Sequence, residues 1–144
     1  MSNPDRRGLT SPPATPWDNA IRLRDILEGV RQVLRGAFSE AVWVFAEAHE
    51  IRRVEKGHVY LTLVDAQEDQ VSTKAILWAG EGGQHLADRE EERGEPQRKG
   101  EKIIILCSPE YHTRYGFRLI VGDIQFADTL GPAERALRYA RKRN

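Results

Sequence analysis

The chain has 144 residues, of which 40% are hydrophobic, a size and composition that suit one compact domain with an apolar core. Its 22 basic residues balance 22 acidic ones, so the formal net charge of zero excludes a global positive field that would draw the whole chain onto a polyanion. Any affinity for nucleic acid must therefore come from a local surface.

The first 16 residues predict a disordered leader. They combine Pro4, Pro12, Pro13 and Pro16 with Ser, Thr and Arg and carry almost no large apolar groups. Burial of so few apolar groups would not offset the conformational entropy lost on ordering this segment. A helix should follow as far as about Ala37, where apolar residues recur at spacings of three and four along one face that flanks or plugs a sheet. These apolar residues are Leu23, Ile26, Leu27, Val30, Val33, Leu34 and Phe38.

From Ala41 the apolar period changes to two, which predicts a long half-buried strand. One face would carry Val42, Val44, Ala46 and Ala48, and the other Trp43, Phe45, Glu47 and His49. A turn at Lys56-Gly57 leads into a second alternating strand that ends at Asp65. The polar residues 66–70 form the next hairpin loop, and a third strand runs through Trp78.

Residues 80–101 are rich in glycine and charge and have one large apolar residue, Leu86, which predicts a solvated loop with at most a short helix. Two more strands should follow, from Lys102 to about His112 and from Tyr115 to about Phe126. Residues 131–144, with Pro132 at a first turn and a run of Arg and Lys, predict a short basic C-terminal helix.

The predicted order of elements is a helix, a three-stranded meander, a long linker and a two-stranded hairpin. Five short antiparallel strands grouped in this way fit an all-β OB-fold, a five-stranded barrel with flanking helices that spans about residues 17–130. In this fold the second and third strands and the connecting loops bind oligonucleotides.

Four short segments add to this prediction by their order. They are FSEAVWVFAE at 38–47, GHVY at 57–60 with Leu63 and Asp65 after it, KAILW at 74–78, and the hairpin from Tyr111 to Val121. The stretch from Leu23 to about Gly131 that contains them resembles the N-terminal OB domain of the exonuclease VII large subunit. The GH-x-Y unit is the most specific part of the resemblance.

The resemblance implies a domain that helps to load single-stranded DNA, in a family whose hydrolysis is carried by a separate downstream segment. Nothing in this chain matches that segment. The expectation is therefore a binding module without nuclease activity, either free-standing or part of a nuclease assembly. The chain departs from the family pattern at Val64, which stands where the family has a lysine on its binding face.

Binding of single strands needs flat aromatic side chains for the bases and Arg or Lys for the phosphates. Strand alternation places both kinds on the outer face of the first three strands and on the last hairpin. The predicted nucleic-acid-binding residues are Trp43, Arg52, Arg53, His58, Tyr60, Lys74, Trp78, Arg114 and Arg118. The sequence predicts single-stranded DNA, or RNA, as the partner.

Other interpretations stay open at this stage. Trp43 and Phe45 could pack under the N-terminal helix, and His58 could hydrogen-bond only to the loop backbone after Gly57. A protein-interaction barrel that has lost nucleic-acid binding with the lysine replaced by Val64 is the rival function. The four histidines are not in metal-ligand spacings and no phosphate-binding glycine loop occurs, so no catalytic residue, metal or cofactor is predicted.

The single cysteine, Cys107, lies in an apolar run and has no partner for an intrachain disulfide, so we expect a buried small side chain in a reducing cytoplasm. No apolar stretch approaches the roughly 20 residues of a membrane span. The N-terminus has charge and proline where a signal peptide needs an apolar run. The expected location is therefore the cytoplasm, away from membranes.

Overall fold

The computed structural model describes residues 16–127, so the predicted leader, apart from Pro16, and the predicted C-terminal helix lie outside the described residues. The helices are α1 (Pro16–Asn19), α2 (Leu23–Ala37) and α3 (Gly82–Arg93). The strands are β1 (Val42–Arg53), β2 (Val59–Val64), β3 (Ser72–Leu77), β4 (Glu101–His112) and β5 (Gly116–Phe126). None of these helices is long and apolar enough to span a membrane.

The five strands close into a barrel in the order β1-β2-β3-β5-β4, which confirms the predicted OB-fold. All neighbouring pairs are antiparallel except β3 and β5, which are parallel and meet at Ala75 opposite Leu119 and Ile76 opposite Ile120. Of the residues of β1 and β2 that were predicted to face inward, all but Val42, which is 39% exposed, belong to or pack against one core. Its fully buried members include Leu61, Leu77, Ile103, Ile105, Cys107, Val121, Ile124 and Phe126.

Strand β1 takes part in two pairings. Its first half, Val42 to Ala48, pairs with β4, and its second half, from Glu47 to Arg53, pairs with β2. The register shifts between Ala48 and Glu50, and such a bulge bends a strand and increases its twist. The bend allows β1 to pair with β4 before it and with β2 after it, as closure of a small barrel requires.

Helix α3, of 12 residues, corrects the prediction that residues 80–101 form a solvated loop with at most a short helix. It packs mainly against β5, and the sequence signal was weak because the buried face consists of Gly82, Gly83 and Leu86 rather than of several large apolar residues. A Cβ atom on Gly82 would lie 2.0 Å from the Val121 carbonyl oxygen, so only glycine lets the helix approach the barrel this closely.

Two ion pairs hold α3 and its following loop to the barrel. The Arg93 guanidinium lies 3.5 Å from the centre of the Phe126 ring and forms two hydrogen bonds with the Glu101 carboxylate, one of them 2.9 Å long. Arg53 of β1 forms two hydrogen bonds with Glu90 of α3. The helix is therefore fixed by charge as well as by packing.

Helix α2 flanks the barrel and has no buried residue. It contacts β4, and only Leu27 and Leu34 of its apolar residues are half-buried. Other apolar side chains of the predicted stripe are exposed, including Leu23 at 72% and Val33 at 73%. The predicted apolar face is therefore only partly covered by the barrel.

Replacement of Gly82 by alanine should destabilise the fold. Overpacking of a close contact costs about 1–3 kcal/mol, and here the added methyl group meets the Val121 backbone, which cannot rotate away as a side chain would. Gly29 in α2 is the matched control, because a Cβ atom there meets nothing within 4 Å and alanine is the better helix former by about 1 kcal/mol. Urea denaturation should show opposite signs for the two substitutions, and equal effects would contradict the close packing of α3.

The Glu101 carboxylate should make the fold sensitive to acid. Burial raises the pKa of this carboxyl, but the hydrogen bonds from Arg93 and the Arg98 backbone, with both arginine charges, outweigh burial and bring the pKa below its ordinary value of 4.5. A lowered pKa in the folded state stabilises the fold above 4.5, and this contribution is lost as the pH falls through the folded-state pKa.

We expect the Glu101→Gln variant to lose stability at neutral pH and to show a flatter dependence of unfolding free energy on pH between about pH 5 and pH 3. Glu68→Gln, at an exposed loop position, is the control and should keep the slope of the parent protein. Urea midpoints measured across this pH range test the prediction. An unchanged slope in the Glu101 variant would contradict it.

Candidate nucleic-acid interface

The outer face of β1 and β2 carries a stacked arginine and tyrosine. The pairing of the two strands places Arg52 directly opposite Tyr60, and the Arg52 guanidinium carbon lies 4.7 Å from the centre of the Tyr60 ring. Tyr60 points outward because its strand neighbours Val59 and Leu61 point into the core, and its side chain is half-buried. The outer face of β1 and β2 thus carries the Tyr60 ring and the positive charge of Arg52 side by side.

The next row on the same face is polar. Thr62 of β2 lies opposite Lys74 of β3, and the Lys74 ammonium donates a hydrogen bond of 2.8 Å to the Thr62 hydroxyl oxygen. An ammonium group has three N–H donors, so this bond leaves donors directed to solvent. Lys74 is exposed and lies two residues along β3 from Ile76, the partner of Tyr60.

A second aromatic group forms where β2 begins and β3 ends. The rings of His58 and Trp78 meet edge to face with centres 5.2 Å apart, and the His58 Nδ1 atom accepts a hydrogen bond of 2.9 Å from the Ala79 backbone N–H. His58 therefore orders the loop after β3 and supports Trp78. The Arg118 guanidinium of β5 lies 5.6 Å from the Trp78 ring, on the same half-buried indole.

The β4–β5 hairpin adds aromatic side chains that the sequence prediction missed. His112 Nδ1 accepts hydrogen bonds from the backbone N–H groups of Arg114 and Tyr115, at 3.0 and 3.3 Å, and so fixes the turn. The Tyr115 ring, 65% exposed, lies 4.6 Å from the His112 ring and 5.5 Å from the Arg114 guanidinium. The signal that could have predicted these aromatic residues was their closeness in the chain to Arg114 and Arg118.

Arg118 is held by an ion pair as well as by the tryptophan. Its guanidinium donates to the Glu110 carboxylate at 2.9 Å, and Glu110 is its direct partner in the β4–β5 pairing. The pair is partly exposed, with side-chain exposures of 19% and 38%. A phosphate group can compete for an arginine in such a setting because exposed ion pairs contribute little net free energy.

Two of the nine predicted site residues lie apart from this surface. Trp43 is in the half of β1 that pairs with β4, opposite Leu106, about 30 Å of strand length from Arg52. Arg53 extends to Glu90 of α3, where its guanidinium is already paired. The structure brings together the other seven, which we define as the strand-face site. They are Arg52, His58, Tyr60, Lys74, Trp78, Arg114 and Arg118.

The position at which the chain departs from the family pattern is not on the open surface. Val64 is 7% exposed, and its partners are Glu47 in β1 and Ser72 in β3. A lysine ammonium at this point would need an exit to solvent, whereas valine is simply covered. The departure therefore removes a charge from the end of β2 and leaves the aromatic residues Tyr60 and Trp78 unchanged.

Acidic and metal-binding side chains do not gather on the described part of the chain. Over residues 16–127, no group of three or more His, Cys, Asp or Glu side chains lies close enough to hold a metal ion. The Glu101 carboxylate, with its lowered pKa, lies at the start of β4 and is paired with Arg93 of α3. The chemistry that this face offers is stacking and the pairing of charges.

Comparison with known proteins agrees with the fold. Residues 21–125 match the model of a family described as the OB-fold nucleic acid binding domain. The chain belongs to this family. The match covers all five strands of the OB-fold domain except the last residue of β5, and also includes α2 and α3.

A sequence relative connects this OB-fold domain to a nuclease subunit. The chain is 31% identical over 137 residues to the exodeoxyribonuclease 7 large subunit of Deinococcus radiodurans. The alignment covers 90% of this chain and 32% of the relative, so the chain spans about a third of that protein. The resemblance to the exonuclease VII large subunit that the sequence motifs indicated is confirmed.

Two solved structures show a likeness to the OB-fold domain. The second OB-fold domain of replication protein A from Methanococcus maripaludis has a TM-score of 0.40 and 18% identity, over 61% of this chain and 84% of that chain. A putative aspartyl-tRNA synthetase from Leishmania major Friedlin has a TM-score of 0.44 and 12% identity, over 81% of this chain and 23% of that chain.

The two neighbouring arginines of β1 should affect different properties. Substitution of Arg53 should lower stability, and substitution of Arg52 should weaken oligonucleotide binding. Arg53→Gln breaks the pair with Glu90, whose side chain is 14% exposed, and should cost about 1 kcal/mol of stability because the arginine itself is 45% exposed. Arg52→Gln removes the charge over Tyr60 and should change the urea midpoint little. Denaturation and oligonucleotide binding measured on both variants test this, and a greater binding loss in the Arg53 variant would contradict it.

Proposed function

We propose that this barrel binds single-stranded DNA on the strand-face site. The observation that carries the proposal is that Tyr60 in β2 and Trp78 just after β3, two half-buried aromatic rings, each have an arginine within 6 Å of the ring centre. Stacking of bases on such rings, with cationic side chains along the backbone, is how sequence-tolerant binding of single strands works. Membership of the OB-fold nucleic acid binding family supports it.

The expected affinity follows from these groups. A stacked base contributes roughly 1–3 kcal/mol, so two aromatic platforms and a few phosphate contacts approach the 8 kcal/mol or so of a micromolar complex. Since the formal net charge is zero, attraction depends on the local charges of Arg52 and Lys74, and on Arg118 where a phosphate displaces its partner Glu110. Binding should therefore weaken steeply with salt, as each phosphate contact releases counterions.

We further propose that this chain binds without cleaving. The strand-face site offers rings and positive charges, and the neighbouring Glu110 is engaged by Arg118. Over residues 16–127, no group of three or more His, Cys, Asp or Glu side chains is placed to hold a metal ion. The similarity to a nuclease subunit supports a role as the DNA-recognising part of a nuclease assembly. The single, buried cysteine, Cys107, supports a reducing cytoplasm as the location of this chain. DNA is preferred over RNA because that relative is named as an exodeoxyribonuclease.

A second candidate function is a protein-interaction module. The observation that favours it is the outer stripe of α2, where Leu23, Ile26 and Val33 are 53–73% exposed. Exposed apolar patches of this kind mark protein contacts. The two functions differ in their response to salt, because an apolar contact changes little with ionic strength.

The proposed function is tested by fluorescence anisotropy of a labelled oligo-dT of about 20 nucleotides at low and moderate salt. We expect micromolar or tighter binding that falls with salt. Tyr60→Ala combined with Lys74→Ala should weaken it at least tenfold, since this variant has one stacking platform and one cation fewer. An oligo-rU of the same length measures the preference for DNA.

The matched control is Trp17→Ala combined with Lys102→Ala. It also removes one exposed aromatic ring and one lysine, but at α1 and at the start of β4, away from the strand-face site. It should bind within twofold of the parent chain. No binding of the parent chain at high micromolar protein and low salt would reject the function, and equal losses in both double variants would reject the site.

A further inference from the structure

A groove runs between α2 and the outer side of the β4–β5 hairpin. It consists of two adjoining cavities of about 440 and 200 Å³. The larger one lies along the last two turns of α2 and the linker to β1. Its lining includes Arg31, Arg35, Ser39, Ser108, Glu110 and Tyr111.

The groove is continuous with the strand-face site. The two cavities share Arg31, Glu110 and Tyr111, and the smaller one extends to Arg118. Arg118 in turn lies over Trp78. A connected path of side chains therefore leads from the aromatic rings of β2 and β3, across the hairpin, and onto α2.

The charges along this path suit a polyanion. Arg31 lies 3.3 Å from Glu28 in a helix-surface pair whose side chains are 38% and 37% exposed, so the pair holds the arginine weakly. Arg35, one turn further, has no ion-pair partner among residues 16–127. Glu110 is the acidic residue that lines both cavities, and Arg118 already neutralises it.

The spacing of these arginines suits an extended backbone. Arg31 and Arg35 are four residues apart, so they lie on the same side of α2, about 6 Å apart along the helix axis. The half-buried Tyr111 ring and the hydroxyl-bearing Ser39 and Ser108 line the space between the helix and β4. The larger cavity is therefore amphipathic: Leu34, Phe38 and Ile120 give it an apolar side, beside the two arginines and the serine hydroxyls.

We propose that this groove is a second segment of the binding site, which takes the sugar-phosphate backbone of the same single strand after it passes the hairpin. Arg31 and Arg35 contact the phosphates, and Tyr111 lies beside a sugar or base. The inference rests on the proposed function of the strand-face site. It extends the occupied length of the strand beyond the barrel and gives α2 a part in binding.

The test compares two lengths of labelled oligo-dT, of about 5 and about 15 nucleotides, within the range of site sizes of single OB-folds. The variant is Arg31→Gln combined with Arg35→Gln. We expect it to weaken binding of the longer oligonucleotide roughly tenfold at about 0.1 M salt and to lower the salt slope by about 1.4, because two phosphates no longer meet an arginine. Binding of the shorter one should stay within twofold.

Lys99→Gln combined with Lys102→Gln is the matched control, since it removes the same charge from exposed positions at the opposite end of β4. It should bind both lengths like the parent chain, and circular dichroism should show the same fold for all variants. Tyr60→Ala combined with Lys74→Ala should weaken both lengths, which reports on the strand-face site alone.

The outcomes separate the two proposals. If the groove variant binds both lengths as the parent chain does, or weakens both equally, the groove is not an extension of the site and the inference is wrong, while the strand-face site stands by the result for Tyr60 and Lys74. If the parent chain binds neither length, the proposed function fails and the groove falls with it. A loss confined to the longer strand supports the groove.

Discussion

Closure of the barrel is the constraint on which the rest of this structure depends. The contact of β3 with β5 is the only parallel pairing among the strands of residues 16–127, and it extends over two residue pairs. Helix α3 supports this seam, since its first turn packs against Val121 of β5 at a distance that only Gly82 permits. Arg53 and Arg93 fix the rest of the helix to β1 and β4.

The strand-face site, the proposed binding surface, is a consequence of that closure. Because one set of alternating side chains fills the core, the other set is forced outward, and the antiparallel register decides which of them meet. Tyr60 lies beside Arg52 because β1 and β2 pair after the bulge, and Trp78 meets Arg118 because β5 follows β3 around the barrel. The same register places Arg118 opposite Glu110. The carboxylate of Glu110 partly neutralises the Arg118 charge, which would otherwise be open to solvent.

Helix α2 is joined to this surface rather than to the core. Its weak burial adds little to the stability of the fold, yet its arginines lie beside the hairpin that carries Tyr111 and Arg118. A helix held in this manner can shape a groove without being part of the barrel. Its outer apolar stripe remains the feature that a nucleic-acid ligand does not explain, and it is the basis of the rival protein-interaction function.

The periodicity of the sequence by itself determined helix α2, the five strands and most inward residues of β1 and β2, because a change between periods of 3.6 and 2 is a local property of the chain. The apolar run around Cys107 likewise predicted its burial. The motifs GHVY and KAILW also indicated the family. The length and packing of helix α3 were not predicted, because glycines form much of its buried face. Such glycines matter only through the short distance between the helix and β5, which the sequence does not show.

Only the tertiary structure decided which outward residues share a surface. In the sequence Arg52 and Arg53 are equivalent, and Trp43 is as good an aromatic candidate as Tyr60. The bend of β1 sends Trp43 toward β4, and the alternation of the strand turns Arg53 toward α3 while Arg52 covers Tyr60. The choice among them depends on contacts between residues far apart in the chain, which no local pattern contains.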